Sequence, residues 1–345
     1  MMDLVRAVSE GRDLTQEEAE AAFTRMMTGE ASELEMTALL VALRTKGYAP
    51  SEVAGGVRAL RKAMIPVPVP PGASVVDTCG TGGGSVTTFN ISTAAALVVA
   101  GAGVPVAKHG NRSFTSRSGS ADVLEALEVE IQLSPEGMGR ILEQAGIVFM
   151  FAPLLHPAIR HVGPVRKALG FSTIFNLLGP VTNPASARRQ VVGVSDPELL
   201  PLVARALHAL EHERALVVHG EAGLDEVSPL GPTTVAELRE GEVREYRVDL
   251  PELGLEPARP EEIAGGSPEE NARLILDVLE GKETGGARTA TVLNAGAALY
   301  VGGAADSLKE GVELALEILA AGKGLRSLEA LRDASQREGA EGRKG

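Results

Sequence analysis

Two clusters of glycine, hydroxyl and amide residues lie in a stretch of the chain that has no carboxylate. The first is Thr78-Cys79-Gly80-Thr81-Gly82-Gly83-Gly84, followed by Thr87, Thr88, Asn90, Ile91, Ser92 and Thr93; the second is Lys108-His109-Gly110-Asn111-Arg112-Ser113. No Asp or Glu occurs from Thr78 to Ala121, although the whole chain carries 46 acids against 33 bases, a net charge of −13. Bases kept apart from acids in an acidic protein make a place for an anion. Glycines let backbone N–H groups come close to a phosphate, and a helix N-terminus behind them adds partial positive charge. A phosphate ester is the ligand this pattern predicts. The letters disfavour NAD and ATP: Gly80-x-Gly82-x-x-Ser85 lacks the third glycine of a dinucleotide loop, and no Gly-Lys-Ser/Thr follows.

A second acid-free run, Gln144 to Ser195, holds His156, Arg160, His161, Arg166, Lys167, Arg188 and Arg189. Arg166 is assigned to a substrate carboxylate, which a guanidinium binds bidentately; Arg160, Lys167, Arg188 and Arg189 are read as solvated helix faces. Asp225-Glu226, in the glycine-bearing loop Gly220 to Ser228, suits a hard cation such as Mg²⁺ shared with substrate phosphates. Zinc is disfavoured because one cysteine and scattered histidines offer no ligand spacing. Covalent catalysis has little support: there is no Gly-x-Ser-x-Gly elbow, and Cys79 has no evident partner base.

The elements that must position these groups follow from pattern. Thr15-x-x-Glu18 and Ser32-x-x-Glu35 are capping boxes ahead of amphipathic runs, Gly47 is a helix stop, and a third helix follows Pro50-Ser51. The proline ladder Pro66 to Gly72 is stiff and extended, a domain connection. Beyond it strands are expected at 74–77, 104–108, 147–150, 191–194 and 215–219, with helices at 92–100, 120–127, 135–145 and 197–210. That alternation predicts an α/β protein with a mainly parallel sheet covered by helices. A hairpin is expected from 233–238 and 243–248, and helices from 267–279 and 306–319. The polar tail from Arg332 to Gly345 is expected to fray.

Apolar content of 44% supports a sizeable core. The acidic balance argues against nucleic-acid and membrane partners. One cysteine fits a reducing compartment, the first residues lack a signal-peptide pattern, and the longest apolar run, Ala94 to Ala107, is too short to span a bilayer. The expectation is a soluble, cytoplasmic protein.

Together the motifs resemble the anthranilate phosphoribosyltransferase family over nearly the whole chain. The matching segments are Asp77-x-x-Gly80-Thr81-Gly82-Gly83, Thr88-Phe89-Asn90-Ile91-Ser92-Thr93, Lys108-His109-Gly110-Asn111-Arg112, Ser118-Gly119-Ser120-Ala121-Asp122, His156-Pro157-Ala158, Pro164-Val165-Arg166-Lys167, Phe175-Asn176-Leu177-Leu178-Gly179-Pro180 and Leu224-Asp225-Glu226. The resemblance implies a homodimer with a helical dimerisation domain at 1–65, which a helical segment near 170–187 is a candidate to join, and an α/β donor-binding domain at 73–345. It implies transfer of phosphoribosyl from phosphoribosyl pyrophosphate to the amino group of anthranilate in tryptophan biosynthesis.

By matching position, Gly80, Gly83, Gly84, Thr88, Asn90, Ile91, Ser92, Thr93 and Ser120 would hold the donor, together with Lys108, His109, Gly110, Asn111, Arg112, Ser113, Phe114, Thr115 and Ser116. Gly80, His109, Asn111 and Arg166 would meet anthranilate; Ser92, Asp225 and Glu226 would serve Mg²⁺; Lys108 and Arg166 would be catalytic. Two departures stand out. Gly84-Ser85 replaces the usual Asp-Gly of the family loop, and Phe171-Ser172 replaces a more usual basic residue before Thr173. The alternatives left open are a pyrimidine nucleoside phosphorylase and a non-catalytic nucleic-acid-binding relative of the same fold.

Overall fold

The structure, a computed structural model, describes residues 1–113 and 117–343. Its first four helices are α1 (Met2–Ser9), α2 (Gln16–Met27), α3 (Glu33–Lys46) and α4 (Pro50–Ala63), of which α2 and α3 begin at side-chain caps. Both capping boxes close: the Glu18 and Glu35 amides donate to Thr15 Oγ1 and Ser32 Oγ, and the carboxylates accept in return. These bonds satisfy donors that a first turn leaves free. α2 and α4 approach closely because Gly55 has no side chain; a Cβ there would lie 2.4 Å from the Gln16 carbonyl oxygen.

From Val76 the chain runs β1 (Val76–Gly80), α5 (Ile91–Gly101), β2 (Val106–Gly110), α6 (Ser120–Ala126), α7 (Pro135–Ala145) and β3 (Ile147–Phe151). It continues through α8 (Ala152–Leu155), α9 (Gly163–Leu169), α10 (Phe175–Leu178), β4 (Arg189–Gly193), α11 (Leu199–Ala209), β5 (Arg214–Gly220), β6 (Thr233–Arg239) and β7 (Glu242–Val248). Four helices close it: α12 (Pro268–Leu279), α13 (Gly286–Gly302), α14 (Leu308–Ala320) and α15 (Lys323–Gly342). The fold is a small N-terminal helical domain and a larger α/β domain with a mostly parallel sheet.

Strand order is β3-β2-β1-β4-β5-β6-β7; β1 to β5 are parallel, and β6 and β7 add antiparallel. The chain moves to one side of β1 for β2 and β3, then to the other for β4 and β5. Order therefore reverses between β1 and β4, where open sheets bind ligands at their carboxyl ends. β1, β2, β4 and β5 all end there on glycine: Gly80, Gly110, Gly193 and Gly220. β1 runs three residues and β2 two residues past the expected ends. Gly80 pairs with Gly193 and Gly110 with Phe151, so glycines that read as turns still belong to the ladder.

The helices α9 and α10 pack on the N-terminal ones. The Phe23 and Phe175 rings meet edge-on at 5.6 Å, and Arg44 of α3 lies 5.0 Å over the Phe171 ring while donating to the Ser172 carbonyl. Phe171-Ser172 thus forms a docking contact with α3.

Two elements depart from expectation. α13, rich in glycine and alanine, is buried from Ala290 to Val301 and gives little amphipathic signal. The tail does not fray up to Gly342: α15 buries Leu331, Ala334 and Ser335 on one face, while Glu338 on its flank pairs with Arg140 at 2.5 Å. Its outward charges dominate the composition and hide the small residues that pack inward.

Candidate active site

The glycine loop after β1 is built against the loop after β5. Thr81 N–H donates to the Gly193 carbonyl (2.8 Å), Ser85 N–H to the Gly223 carbonyl (3.0 Å), and Gly82 N–H to Asp225 Oδ2 (2.8 Å). Gly82 and Gly83 have φ of +69° and +83°, values that glycine tolerates without strain. Behind the loop, α5 starts without a side-chain cap, because Asn90 is held by Ser118 and Asn271. The side chains of Ile91 and Thr93, expected at the donor, point into the core; from these two residues only main chain is left to face a ligand. Thr88 is fixed by a bridge to Ala264.

Lys108 lies beneath this loop, buried, with Nζ donating to the Thr78 carbonyl (2.6 Å) and to Ser92 Oγ (3.1 Å). Its charge is countered by Asp77, whose carboxylate accepts from His109 N–H, Asn183 Nδ2 and Gln190 Nε2. Burial pushes the Asp77 carboxyl up and the Lys108 ammonium down, and each group opposes the shift of the other.

Arg112 departs from its expected freedom. Its guanidinium pairs with Asp122 and Glu125, at 2.8 and 2.5 Å, two acids just outside the acid-free stretch. A window without acids in sequence is therefore not a region without acids in space. Ser113 N–H donates to Asp122, and Ser120 Oγ to the Asn111 carbonyl. Gly110 leaves room for that Ser120 hydroxyl, which a Cβ would meet at 2.2 Å. Phe114, Thr115 and Ser116 lie outside the described residues.

At the end of β2 is a cavity of about 350 Å³ lined by Leu60, Ala152, Pro153, Ile159 and Phe175 and by five polar side chains, His109, Asn111, His156, Arg160 and Arg166. Arg166 is largely buried, sits 5.4 Å over the Phe175 ring and has no acidic partner among the described residues; burial alone lowers its pKa. Arg160, expected to be merely solvated, also faces this cavity. His109 and His156 meet with Nε2 atoms 3.2 Å apart. Burial pushes His109 down to about 3, helped by His156 and Lys108, and His156 down to about 4. Both rings are neutral at physiological pH. Sequence reasoning did not place His156 or Asn271 in the site; His156 stood in a family motif, but nothing local marked its contact with His109.

Asp225 and Glu226 stand against the glycine loop after β1. Desolvation, reinforced by Asp225, raises Glu226 to about 8, against the pull of Lys108 and a hydrogen bond from Ser92 N–H. Two crowded carboxylates beside the main chain of a glycine loop fit a hard divalent cation. Among the described residues no cluster of three or more His, Cys, Asp or Glu forms a protein-only cage. That suits magnesium, which characteristically takes one or two carboxylates and fills its remaining positions with water and phosphate oxygens.

Comparison with known proteins agrees with this geometry. Residues 2–64 match the helical bundle domain of the glycosyl transferase family, and residues 72–325 its a/b domain. An anthranilate phosphoribosyltransferase of Symbiobacterium thermophilum is 51% identical over 99% of each chain. The crystal structure of the Thermus thermophilus anthranilate phosphoribosyltransferase superposes with a TM-score of 0.91 at 46% identity, covering 96% of this chain and 99% of that one. The Saccharomyces cerevisiae enzyme, in complex with PRPP and Mg, superposes with a TM-score of 0.86 at 27% identity over 98% and 99%. The yeast enzyme has also been solved with 4-fluoroanthranilate, at a TM-score of 0.84 and 27% identity over 94% of each chain.

Proposed function

The chain belongs to the anthranilate phosphoribosyltransferase family, and from that premise we propose how its own residues divide the reaction. It is a glycosyltransferase that moves phosphoribosyl from phosphoribosyl pyrophosphate to the amino group of anthranilate, releasing pyrophosphate, in tryptophan biosynthesis. The observation that carries this reading is the cavity in which Arg166, without an acid partner among the described residues, shares one apolar chamber with Asn111 and His109 at the end of β2, the strand paired with the one that leads into the glycine loop. A planar aromatic acid fits there, its carboxylate toward Arg166 and its amine toward the loop.

Pyrophosphate leaves the anomeric carbon, positive charge grows on the ribose ring, and the aryl amine attacks from the opposite face. Arg166 orients the acceptor, turning encounter into alignment. The amides of the glycine loop and the start of α5 receive the phosphates, with Asn90, Ser92, Asn111 and Ser120 around them. Lys108 acts across Ser92, its buried charge favouring the departing anion. Ser92, Asp225 and Glu226 are the residues that would hold Mg²⁺, which when bound supplies positive charge against the leaving group. The amine needs no general base to attack, and its proton can pass afterwards to water or pyrophosphate.

The helical domain at 1–65, joined by the segment near 170–187, carries the homodimer contact in this reading; the α/β domain at 73–345 carries the donor. An apolar groove between α1 and α3, lined by Val5, Val8, Ala38 and Val41 with Leu34 exposed nearby, supports that assignment. No helix among the described residues is long and apolar enough to cross a membrane, in keeping with a cytoplasmic enzyme. Loss of anthranilate fluorescence on adding phosphoribosyl pyrophosphate and Mg²⁺ is the expected result. Unchanged fluorescence, or phosphate-dependent cleavage of a pyrimidine nucleoside instead, would overturn the reading. Val41→Glu is expected to convert the dimer to monomer in sedimentation.

A further inference from the structure

Asp225 is packed more tightly than a metal ligand needs to be. Its carbonyl oxygen lies where a Cβ on Gly193 would come within 1.7 Å, and its carboxylate lies 2.5 Å from a Cβ position on Gly80 and 3.2 Å from one on Gly84. Three glycines, from two strand ends and the donor loop, leave the space it fills. The loop that carries it is anchored on both sides. Leu224 is buried and its main chain bridges to Gly220, while Asn294 of α13 accepts from Val227 N–H (2.9 Å) and donates to the Val227 carbonyl (3.0 Å). From this fixed position Asp225 Oδ2 accepts the Gly82 amide at 2.8 Å, and the neighbouring Gly223 carbonyl accepts the Ser85 amide.

We propose that Asp225 is a positioning residue for the donor: its carboxylate clasps the glycine loop through Gly82 N–H and sets the loop's shape, a task separable from metal binding, which falls chiefly to Glu226. The inference rests on the reading that the donor's phosphates meet this loop. Gly82 and Gly83 both have left-handed φ, a conformation open to many alternatives in a glycine-rich segment, so some contact must select one of them. Among the described residues, three main-chain N–H groups of the loop donate across to the end of β4 and the loop after β5, and Asp225 accepts the one at its centre. The adjacent carboxylates then have distinct partners: Asp225 an amide of the loop, Glu226 the Ser92 amide at the start of α5.

The test separates removal of charge from removal of the acceptor. Hydrogen–deuterium exchange of the 80–85 segment is measured without donor or metal in the parent, Asp225→Asn, Asp225→Ala and Glu226→Gln, with Mn²⁺ affinity measured separately. Asn still offers a carbonyl oxygen to Gly82 N–H and should keep exchange within about twofold of the parent. Ala should speed it about tenfold, the loss of one charge-assisted bond, while β1 and α5 stay protected. Glu226→Gln should leave the loop unchanged and weaken Mn²⁺ more than Asp225→Asn does. In turnover at saturating Mg²⁺, Ala should raise the donor KM about tenfold without moving the anthranilate KM, and Asn should restore most of it. If Ala does not fold, Asp225→Leu, which fills the space without an acceptor, takes its place. Parental exchange in the Ala or Leu variant, or a donor KM as impaired in Asn as in Ala, overturns the clasp. A parent that consumes no anthranilate overturns the functional reading instead, and the exchange result stands independently of it.

Discussion

In the proposed site, the donor and acceptor halves are built on opposite terms. On the donor side nearly every polar group already has a protein partner: Gly82 N–H has Asp225, Lys108 has Thr78 and Ser92, and Arg112 has Asp122 and Glu125. On the acceptor side, Arg166 waits in an apolar chamber with no acid, next to two neutral imidazoles. A donor meets groups that their neighbours already hold in place; an acceptor has only to fill a space. Binding of the acceptor should thus depend on single side chains, and binding of the donor on the fit between loops.

The strongest blow to the donor half is Gly193→Ala. Its Cβ would fall 1.7 Å from the Asp225 carbonyl oxygen, main chain that cannot swing aside. Overpacking of this kind costs about 3 kcal/mol, so kcat/KM for phosphoribosyl pyrophosphate should fall about a hundredfold, with a lower melting temperature. The acceptor half should respond to Arg166→Ala with a loss of about ten- to hundredfold in kcat/KM for anthranilate and little change in donor KM, as befits one charge-assisted contact. Steady-state kinetics with each substrate varied in turn checks both. Equal damage to both substrates by Arg166→Ala would erase the contrast.

A subtler probe is Gly84→Asp. The new carboxylate would approach Asp225 Oδ1 and crowd the Gly223 carbonyl oxygen, 2.9 Å from the Cβ position. Donor KM should rise about tenfold and shift with Mg²⁺, whereas Gly84→Asn should show the steric part without the magnesium dependence. Identical magnesium titrations for the two variants would assign the effect to shape alone.

The smallest effect concerns pH. His109, His156 and His212 are held neutral, with pKa values of about 3, 4 and 3, against about 6.5 in an unfolded chain. Between pH 6.5 and about 4 the unfolded chain binds protons that the folded one refuses, so stability falls as pH falls, on the order of 1 kcal/mol per unit for each histidine. Thermal melts from pH 7 to 5 should show the decline, and His156→Gln should make it shallower. A flat profile would mean that these rings are not neutral by burial.

Local signals carried much of this into the sequence. Capping boxes, alternating strands and helices, and the glycine run each report on a few adjacent residues, and the elements they mark lie within three residues of expectation. The contacts that remained hidden are those made at long separation. Arg112 looks free because Asp122 and Glu125 stand beyond the window in which it was read. His156 meets His109 only after β3 and α8 have turned the chain back. α13 is buried on all sides, so no amphipathic stripe announces it. The pairing of Gly80, Gly84 and Gly193 around Asp225 has no sequence trace either, since each glycine serves a neighbour far along the chain.

α15 packs against α5 and α7, and α13 covers another face of α5. α5 is thus among the first parts of the α/β domain to be translated and among the last to be enclosed. Its apolar surface, Ala94 to Val99, must wait through more than two hundred residues of synthesis before α15 emerges to cover it. At the ribosome this enzyme passes through a long stage in which its central helix is sticky and only half sheltered, a natural client for chaperones that hold nascent chains.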